Sequence, residues 1–273
     1  MIMRRFHSFI AFSGLLCILF LLSSCGDDPA SVNDEPPQLP PVQSMEADFS
    51  NFESQQKQTQ PQTESSNNFQ RAATTALIMK AVIELNLAIP KALLTAARNA
   101  DSELNEDEQW EWQFSKSADG NTFGVRLLGA REGENTVNWQ FFVTNSQLGL
   151  EDHLFFSGTT NTDGTEGVWS YYSLQDPENQ QEVSRIEWTV NGEEDVQLRL
   201  EVIADRNGNQ GDYLDYTFDG TLKTATYYDN SEDQETTIQI NVNTKAGYII
   251  APDFNNDNKA CWDENFQDVA CNE

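Results

Sequence analysis

The chain has 273 residues, with 44 acidic against 16 basic residues and a formal net charge of −28. A surface this acidic repels nucleic acid and anionic lipid headgroups, so we expect no nucleic-acid partner. With only two histidines in the whole chain, histidine-rich zinc sites are excluded as well.

The first residues of the chain have the layout of an export signal. A basic start precedes an apolar run over residues 9–22, which is short for a membrane span of about 20 residues. The run ends in Leu22-Ser23-Ser24-Cys25, which resembles the lipobox of bacterial lipoproteins. That resemblance implies that residues 1–24 are removed as a signal peptide. It also implies that Cys25 carries the acyl chains, palmitate among them, that anchor the mature protein in a membrane.

The residues after Cys25 indicate where the protein is delivered. Gly26 stands where the inner-membrane retention signal of enterobacterial lipoproteins has aspartate. Asp27-Asp28 resembles the acidic export signals of surface lipoproteins in Bacteroidota-type bacteria. We therefore expect a lipid-anchored protein of the bacterial outer membrane, on its periplasmic face or at the cell surface. Its membrane contact is the lipidated Cys25, and we expect the protein to be a monomer.

Composition divides the mature chain into a tether and a single domain. Residues 25–66 contain six of the nine prolines, many glutamine and acidic residues, and few apolar side chains. Such a segment buries too little apolar surface to offset the entropy of ordering it, so we predict a disordered tether over 25–66. Residues 67–273 are enough for one domain with its own core.

Two helices are predicted at the start of this domain. An almost uninterrupted apolar run precedes Pro90, and we predict one helix over 68–88 and a second over 90–100. Lys80 and Glu84 lie on one side of the first helix, which leaves most of its circumference apolar. A membrane span is one interpretation, but inserting Lys80 costs about 3 kcal/mol. A helix wrapped by a curved sheet is therefore favoured.

From residue 108 onward apolar and polar residues alternate, which is typical of strands with one buried face. Asp-Gly and Asn-Gly pairs separate the runs and predict tight turns. The predicted strands cover residues 108–116, 122–130, 135–144, 152–159, 166–174, 183–190, 195–204, 212–218, 222–229, 235–243 and 246–250. The expected fold is mainly β with an N-terminal helical part. It is an antiparallel up-and-down meander of about 11 strands curved around one or two apolar helices, as a half-barrel or barrel.

This order of elements resembles the half-barrel of the lipoprotein carrier and receptor proteins of the outer membrane. In that family a curved sheet closes over helices and can hold acyl chains, so the resemblance implies a cavity for a hydrophobic ligand between helix and sheet. It is a resemblance of element order alone and carries no sequence motif. The chain as a whole resembles the many uncharacterised β-rich lipoproteins of Bacteroidota-type bacteria.

Two of the four cysteines remain for the folded domain. Cys17 lies in the signal and Cys25 at the lipidation site, which leaves Cys261 and Cys271 near the C-terminus. Exported proteins fold in an oxidising compartment, so we predict a disulfide between these two residues. A metal site is the alternative, but two thiols without a nearby histidine are a poor ligand set.

Catalytic and metal-binding chemistry has few candidate residues. His153 is the only histidine of the mature chain and no nucleophile motif accompanies it, so we interpret it as structural and expect no enzyme. One loop matches part of the spacing of a calcium-binding EF-hand, with Asp253, Asn255, Asp257 and Glu264 as oxygen ligands. Calcium is the one cofactor that the pattern indicates, and an ordinary polar loop is the alternative.

Aromatic residues are the last candidates for a binding site. Trp110, Trp112 and Phe114 share one face of a predicted strand, and Trp139 lies on a nearby strand. Such a face either packs a core or lines a groove for sugar rings or acyl chains. The core interpretation is favoured because apolar helices precede the strands.

Three functional hypotheses follow from these features. The first is a lipid-anchored envelope or cell-surface protein with a non-enzymatic binding or structural domain. The second is a carrier of a hydrophobic ligand in a cavity between helix and sheet. The third is a hydrolase that uses paired carboxylates. A sheet face filled by Ala76, Leu77, Val82 and Leu85 would favour the first hypothesis, and an open cavity lined by the tryptophans would favour the second.

Overall fold

The computed structural model of the chain describes residues 35–56, 67–118, 120–175, 179–205, 208–252 and 254–271, without the side chains of residues 54–56, 118 and 121. Within these residues one antiparallel sheet holds fourteen strands in chain order. The strands are β1 (Ser102–Leu104), β2 (Trp110–Ala118), β3 (Asn121–Glu132), β4 (Thr136–Asn145), β5 (Leu150–Asn161), β6 (Glu166–Tyr172), β7 (Glu182–Val190), β8 (Val196–Val202), β9 (Tyr213–Phe218), β10 (Leu222–Asp229), β11 (Gln234–Asn241), β12 (Gly247–Ile250), β13 (Ala260–Trp262) and β14 (Asp268–Val269). The predicted fold class, a mainly β up-and-down meander with an N-terminal helix, is confirmed.

The eleven predicted strands correspond one to one to β2–β12. Alternation is the reason: along β4, Trp139, Phe141 and Val143 are buried on the inner face, whereas Gln140 is less buried on the outer face. The turns were also predicted from their glycines, as at Gly164, whose φ of 64° suits the hairpin turn before β6. Strands β1, β13 and β14 escaped prediction because two or three residues are too few to show a period.

The sheet curls but does not close, since β1 and β14 do not pair with each other in the described part of the chain. A long helix, α2 (Asn68–Ala97), lies in the opening. It contacts β2 near one edge of the sheet and β12 and β13 near the other. The helix thus bridges the two edges, and its buried side completes the core.

Helix α2 is one continuous helix of 30 residues, so the predicted break at Pro90 was wrong. Proline removes one backbone hydrogen bond from a helix interior. Here Leu87 and Leu94 are buried on either side of the buried Pro90, and this packing stabilises the unbroken helix. The helix begins at a capping box, in which the Asn67 side chain accepts from the Gln70 N–H at 2.8 Å and the Gln70 side chain accepts from the Asn67 N–H at 3.2 Å.

Part of the predicted tether is instead built into the core. A 3-10 helix (Val42–Met45) is followed by α1 (Ser50–Gln56). Met45, Phe49 and Phe52 are at most 2% exposed and belong to the same core cluster as the inner face of the sheet. The prediction of disorder was wrong for residues 35–56, because an average composition conceals three apolar side chains that pack together. The rest of the predicted tether lies outside the described residues.

Polar contacts also hold this segment against the sheet. The Trp169 indole N–H donates to Ser44 Oγ at 3.3 Å. Lys223 is only 6% exposed, and its Nζ donates to Asp48 Oδ2 at 2.5 Å and to Asn51 Oδ1 at 2.7 Å. A buried ammonium group requires such partners, because removing it from water is costly. The segment that was predicted to be a tether therefore supplies the hydrogen-bond partners of Lys223, a buried charge of the sheet.

We expect the Asp48→Asn variant to lose about 1 kcal/mol of unfolding free energy at neutral pH, a small value because the carboxylate is half exposed and screened by solvent. Burial acts to raise the pKa of Asp48, but hydrogen bonds from Lys223 and Ser50 outweigh it and hold the pKa below its ordinary 3.8. A carboxyl group whose pKa is lower in the folded protein stabilises the fold at pH values above its ordinary pKa. This stabilisation is lost as the pH falls through the lowered pKa of the folded state. Urea unfolding from about pH 7 to about pH 2 measures the difference in unfolding free energy between the original chain and the variant. The two free energies should converge in acid, and a difference that stays constant with pH would contradict the contribution of the Asp48 carboxylate.

Four tryptophans lie over glycines of the neighbouring strand. The direct cross-strand pairs are Gly129–Trp139, Gly158–Trp169, Gly167–Trp188 and Gly247–Trp262. A Cβ atom at Gly158 would lie 2.4 Å from the ring of Trp169. Glycine inside a strand often marks such a close approach, and the indole fills the space that a side chain would take. All six tryptophans lie in strands of the sheet, and four of them make such a pair.

Candidate functional site

The aromatic residues that the sequence indicated as core, with the lining of a ligand groove as the alternative, pack in or against the core. Trp112 and Trp139 are 4% and 1% exposed, and their ring centroids are 6.0 Å apart. The Trp139 indole N–H donates to Thr160 Oγ1 at 3.0 Å, so its polar atom is satisfied within the domain. Trp110 and Phe114 are half-buried and pack against the same core. This face of the sheet is filled by side chains.

The predicted disulfide joins Cys261 and Cys271, with an S–S distance of 2.07 Å. It closes the hairpin of β13 and β14, and the start of α2 is bound to the same hairpin. Asn67 Nδ2 donates to the Phe266 carbonyl at 3.2 Å, and Asn68 Nδ2 donates to the Cys261 carbonyl at 2.8 Å. A disulfide across so short a loop is worth about 3 kcal/mol in the chain-entropy account. It therefore stabilises the platform on which α2 begins.

The predicted calcium ligands fall in two separate turns. Asn255 and Asp257 belong to a single 3-10 turn (Asn255–Asp257), and Glu264 is exposed in the turn between β13 and β14. Asp253 lies outside the described residues. Among the residues described, no three histidine, cysteine or acidic side chains form a group that could hold a metal ion. Calcium binding stays a prediction.

His153 has a structural environment. It is 5% exposed on β5, and its Nε2 lies 3.2 Å from the carbonyl oxygen of Ser173. A buried imidazole with a backbone partner is satisfied without any role in chemistry. This arrangement agrees with the structural role inferred from the sequence.

A groove of about 850 Å³ crosses strands β4 to β9, and it is lined by polar side chains together with inner-face residues such as Trp188 and Leu198. Glu187, Arg199 and Asp215 occupy successive cross-strand positions in it. Arg199 Nη1 lies 2.9 and 3.2 Å from the two carboxylate oxygens of Asp215. Burial raises the pKa of Asp215, and Arg199 acts against that rise. Because Arg199 stands between Glu187 and Asp215 and pairs with Asp215, the two carboxylates do not face each other across a substrate site.

The exposed side of α2 carries an apolar stripe. Ile78, Ala81, Leu85, Ala88 and Ala92 follow one another at spacings of three and four residues, which places them on one face of the helix. Leu85 is 87% exposed and Ile78 is 62% exposed, Ala81 and Ala88 are also exposed, and Ala92 is half-buried. We call these five residues the α2 stripe. Their spacing is that of the a and d positions along the seam of a coiled coil.

The α2 stripe is the feature that sequence reasoning missed. Packing of Ala76, Leu77, Val82 and Leu85 against the sheet would have favoured the first hypothesis. Ala76 is buried and Val82 is half-buried, whereas Leu77 and Leu85 are exposed, so that condition is met only in part. By length and composition α2 could span a membrane, a property that it shares with the core helices of soluble proteins. A helix that is apolar on most sides has no pattern that separates its buried side from its exposed side. The sequence alone therefore offers no signal that singles out the stripe.

Two cavities lie between α2 and the sheet, beside the stripe. The larger, of about 380 Å³, reaches Ile78, and the smaller, of about 160 Å³, reaches Leu200; Val82 and Tyr227 line both. The Tyr227 hydroxyl donates to Asp212 Oδ2 at 2.6 Å. Burial and then the carboxylate of Asp212 raise the pKa of Tyr227, which keeps its phenol a donor. Both cavities are thus lined by apolar and polar side chains, and the Tyr227 hydroxyl is a fixed polar group that they share.

Comparison with known proteins adds no relative from which a role could be transferred. No protein-family model, curated protein or solved structure matches the chain. The function is therefore proposed from the surfaces of the chain itself, and among the described residues the α2 stripe holds the two most exposed large apolar side chains, Leu85 and Ile78.

Proposed function

We propose that the chain is a lipid-anchored envelope or cell-surface protein without enzymatic activity, whose β domain binds a protein partner through the α2 stripe. The observation that carries the proposal is the exposure of this stripe. The chain has a net charge of −28, yet five apolar residues follow one another on one helix face without a charge among them. Contiguous exposed apolar surface of this kind marks interaction sites in soluble proteins.

The lipobox supports the anchored part of the proposal, and labelling with an alkyne analogue of palmitate tests it. We expect the full-length protein to carry the label, and the Cys25→Ala variant to lose it and leave the membrane fraction. Cys17→Ala is the matched control, because Cys17 lies in the signal and should not affect labelling. Retention of the label by Cys25→Ala would contradict anchoring at this residue.

Site-specific photo-crosslinking in cells tests the binding part. With a photoreactive amino acid at Leu85, we expect an adduct with a protein, because 87% of this side chain is available to a partner. The control position is Gln197, which is exposed on the outer face of β8. It should give no adduct of the same mass. The absence of a protein adduct at Leu85, or an adduct with lipid alone, would contradict the proposal.

A hydrophobic ligand is the second candidate, favoured by the 380 Å³ cavity beside α2. This volume lies near the lower end of about 300–1,000 Å³ for small-molecule pockets. Native mass spectrometry of a chain that begins at residue 35, with and without EDTA, would detect a bound lipid or calcium. A protein of bare mass in both conditions would count against a ligand and against calcium.

A further inference from the structure

We infer that the α2 stripe binds the same stripe of a second copy of this chain, with the two helices antiparallel. The inference rests on the proposed function, because it uses the same surface, and it names the partner. It also replaces the monomer expected from the sequence, since no sequence feature had shown that the outer side of α2 is uncovered.

The order of large and small residues along the stripe favours a helix as the partner. When the twofold axis of an antiparallel pair crosses between residues 86 and 87, Leu85 packs on Ala88 of the second copy. The same register sets Ala81 on Ala92 and Ile78 on Thr95. Each large side chain then meets a small one, so the two backbones can approach closely and bury the apolar stripe.

Charges beside the stripe select the antiparallel direction. Glu84 and Lys91 lie on the same flank, with side chains that are 63% and 37% exposed. Within the chain they pair with Lys80 at 3.5 Å and with Glu46 at 2.8 Å, and the proposed register brings Glu84 of each copy to Lys91 of the other as an additional partner. On the opposite flank of the stripe, the half-buried apolar residues Val82 and Ile89 of one copy meet the same two residues of the other copy. A parallel pair would instead set Glu84 against Ile89. Surface ion pairs are worth little in stability, but they decide orientation.

The segments of the mature chain that the structure leaves undescribed do not offer a matching apolar face. Apart from one proline, residues 57–66 carry only polar or charged side chains, and residues 25–34 contain a single valine and no larger aliphatic residue. A lipid surface is also a poor match. Helices that lie in a membrane interface usually combine aromatic anchors with many basic residues, whereas the α2 stripe has no aromatic residue and the chain is strongly acidic.

A seam of five residues on one helix is small for a stable interface in dilute solution. Two lipid-anchored copies in one membrane are confined to the same plane, which raises their effective concentration and favours a weak pair. The association should therefore be measured on the full chain in the envelope, where the anchor contributes.

Cysteine crosslinking tests the register. Differently tagged full-length Ile78→Cys and Thr95→Cys chains are produced separately and together, and envelopes are treated with a short thiol crosslinker. We expect a crosslinked dimer when both variants are present and little when either is alone, because residue 78 faces residue 95 of the other copy, whereas the two copies of residue 78 lie about 25 Å apart along the helix axis. A dimer from Ile78→Cys alone would show a parallel pair and overturn the inference. No crosslink in any sample, with both thiols reactive to maleimide, would also overturn it.

Charge reversal on the same two cysteine chains supplies the control for folding. Glu84→Lys or Lys91→Glu, introduced into both chains, should lower the crosslinked yield several-fold, and the two together should restore it because the opposite charges meet again. A loss that the double variant does not restore would contradict the proposed pairing.

The two proposals fail differently. If these cysteines do not crosslink but a photoreactive residue at position 85 captures a different protein, the second-copy inference fails and the proposed function stands. If position 85 captures no protein at all, both fail.

Discussion

A chain shortened to begin at residue 67 is expected to lose its cooperative thermal unfolding transition, whereas a chain that begins at residue 35 is expected to keep it. The difference is the segment that carries Met45, Phe49 and Phe52, all buried against the inner sheet. Burial of three such side chains contributes about 5–9 kcal/mol. That is similar to the whole stability of an ordinary domain, about 5–15 kcal/mol.

Near-ultraviolet circular dichroism during a thermal scan measures this effect, because the buried tryptophans report on fixed packing. The chain from residue 35 is the matched control: like the shorter chain it lacks residues 1–34, with the proposed signal peptide and lipidation site, but it retains the packed segment. Equal midpoints for the two chains would show that residues 35–56 are dispensable and would contradict the core described above.

The Gly158→Ala variant is expected to lose about 3 kcal/mol of unfolding free energy, the upper part of the range for overpacking. Its Cβ atom would lie 2.3 Å from the Val168 carbonyl oxygen and 2.4 Å from the ring of Trp169, so both the backbone and the indole would have to move. Gly124→Ala is the control, because the nearest atom to its Cβ is 3.7 Å away, on Thr144. Chemical denaturation of the two variants should separate them clearly. Equal losses would refute the pairing of glycine with tryptophan.

The strands were predictable because their signal is local. Along β8, Val196, Leu198 and Leu200 alternate with polar residues, and the flanking turns contain glycine. Sequence neighbours pair in a meander, so the local pattern also fixed the order of the strands. The glycines inside strands, such as Gly158 and Gly167, carried a further signal of close packing that alternation alone does not show.

The helical part was harder to predict because its signal is not local. The apolar run that contains Pro90 predicts helix, but whether the helix continues through the proline depends on packing on both sides of it. The burial of Met45, Phe49 and Phe52 depends on partners that lie far along the chain, such as Tyr216, whose ring centroid is 5.8 Å from that of Phe49. The average composition of such a segment does not predict whether it packs into the core.

The candidate functional site also has one part that the sequence predicts and one part that required the structure. The proposed lipidation site at Cys25 rests on a short sequence motif, and its test is chemical, since it lies outside the described residues. The α2 stripe needed the structure, because its spacing is concealed by apolar residues all round the helix. The anchor and the stripe act together in our proposal: the first confines the chain to a membrane, and the second gives the confined domain a surface to bind with.

The central claim is that a protein covers the α2 stripe in the cell, and thiol accessibility measures this most directly. In isolated envelopes, Leu85→Cys should react with a maleimide much more slowly than Gln197→Cys. After solubilisation and dilution in detergent the two rates should become similar, since Leu85 is 87% exposed in the single chain. Equal rates in the envelope would show that the stripe is free there and would contradict the claim.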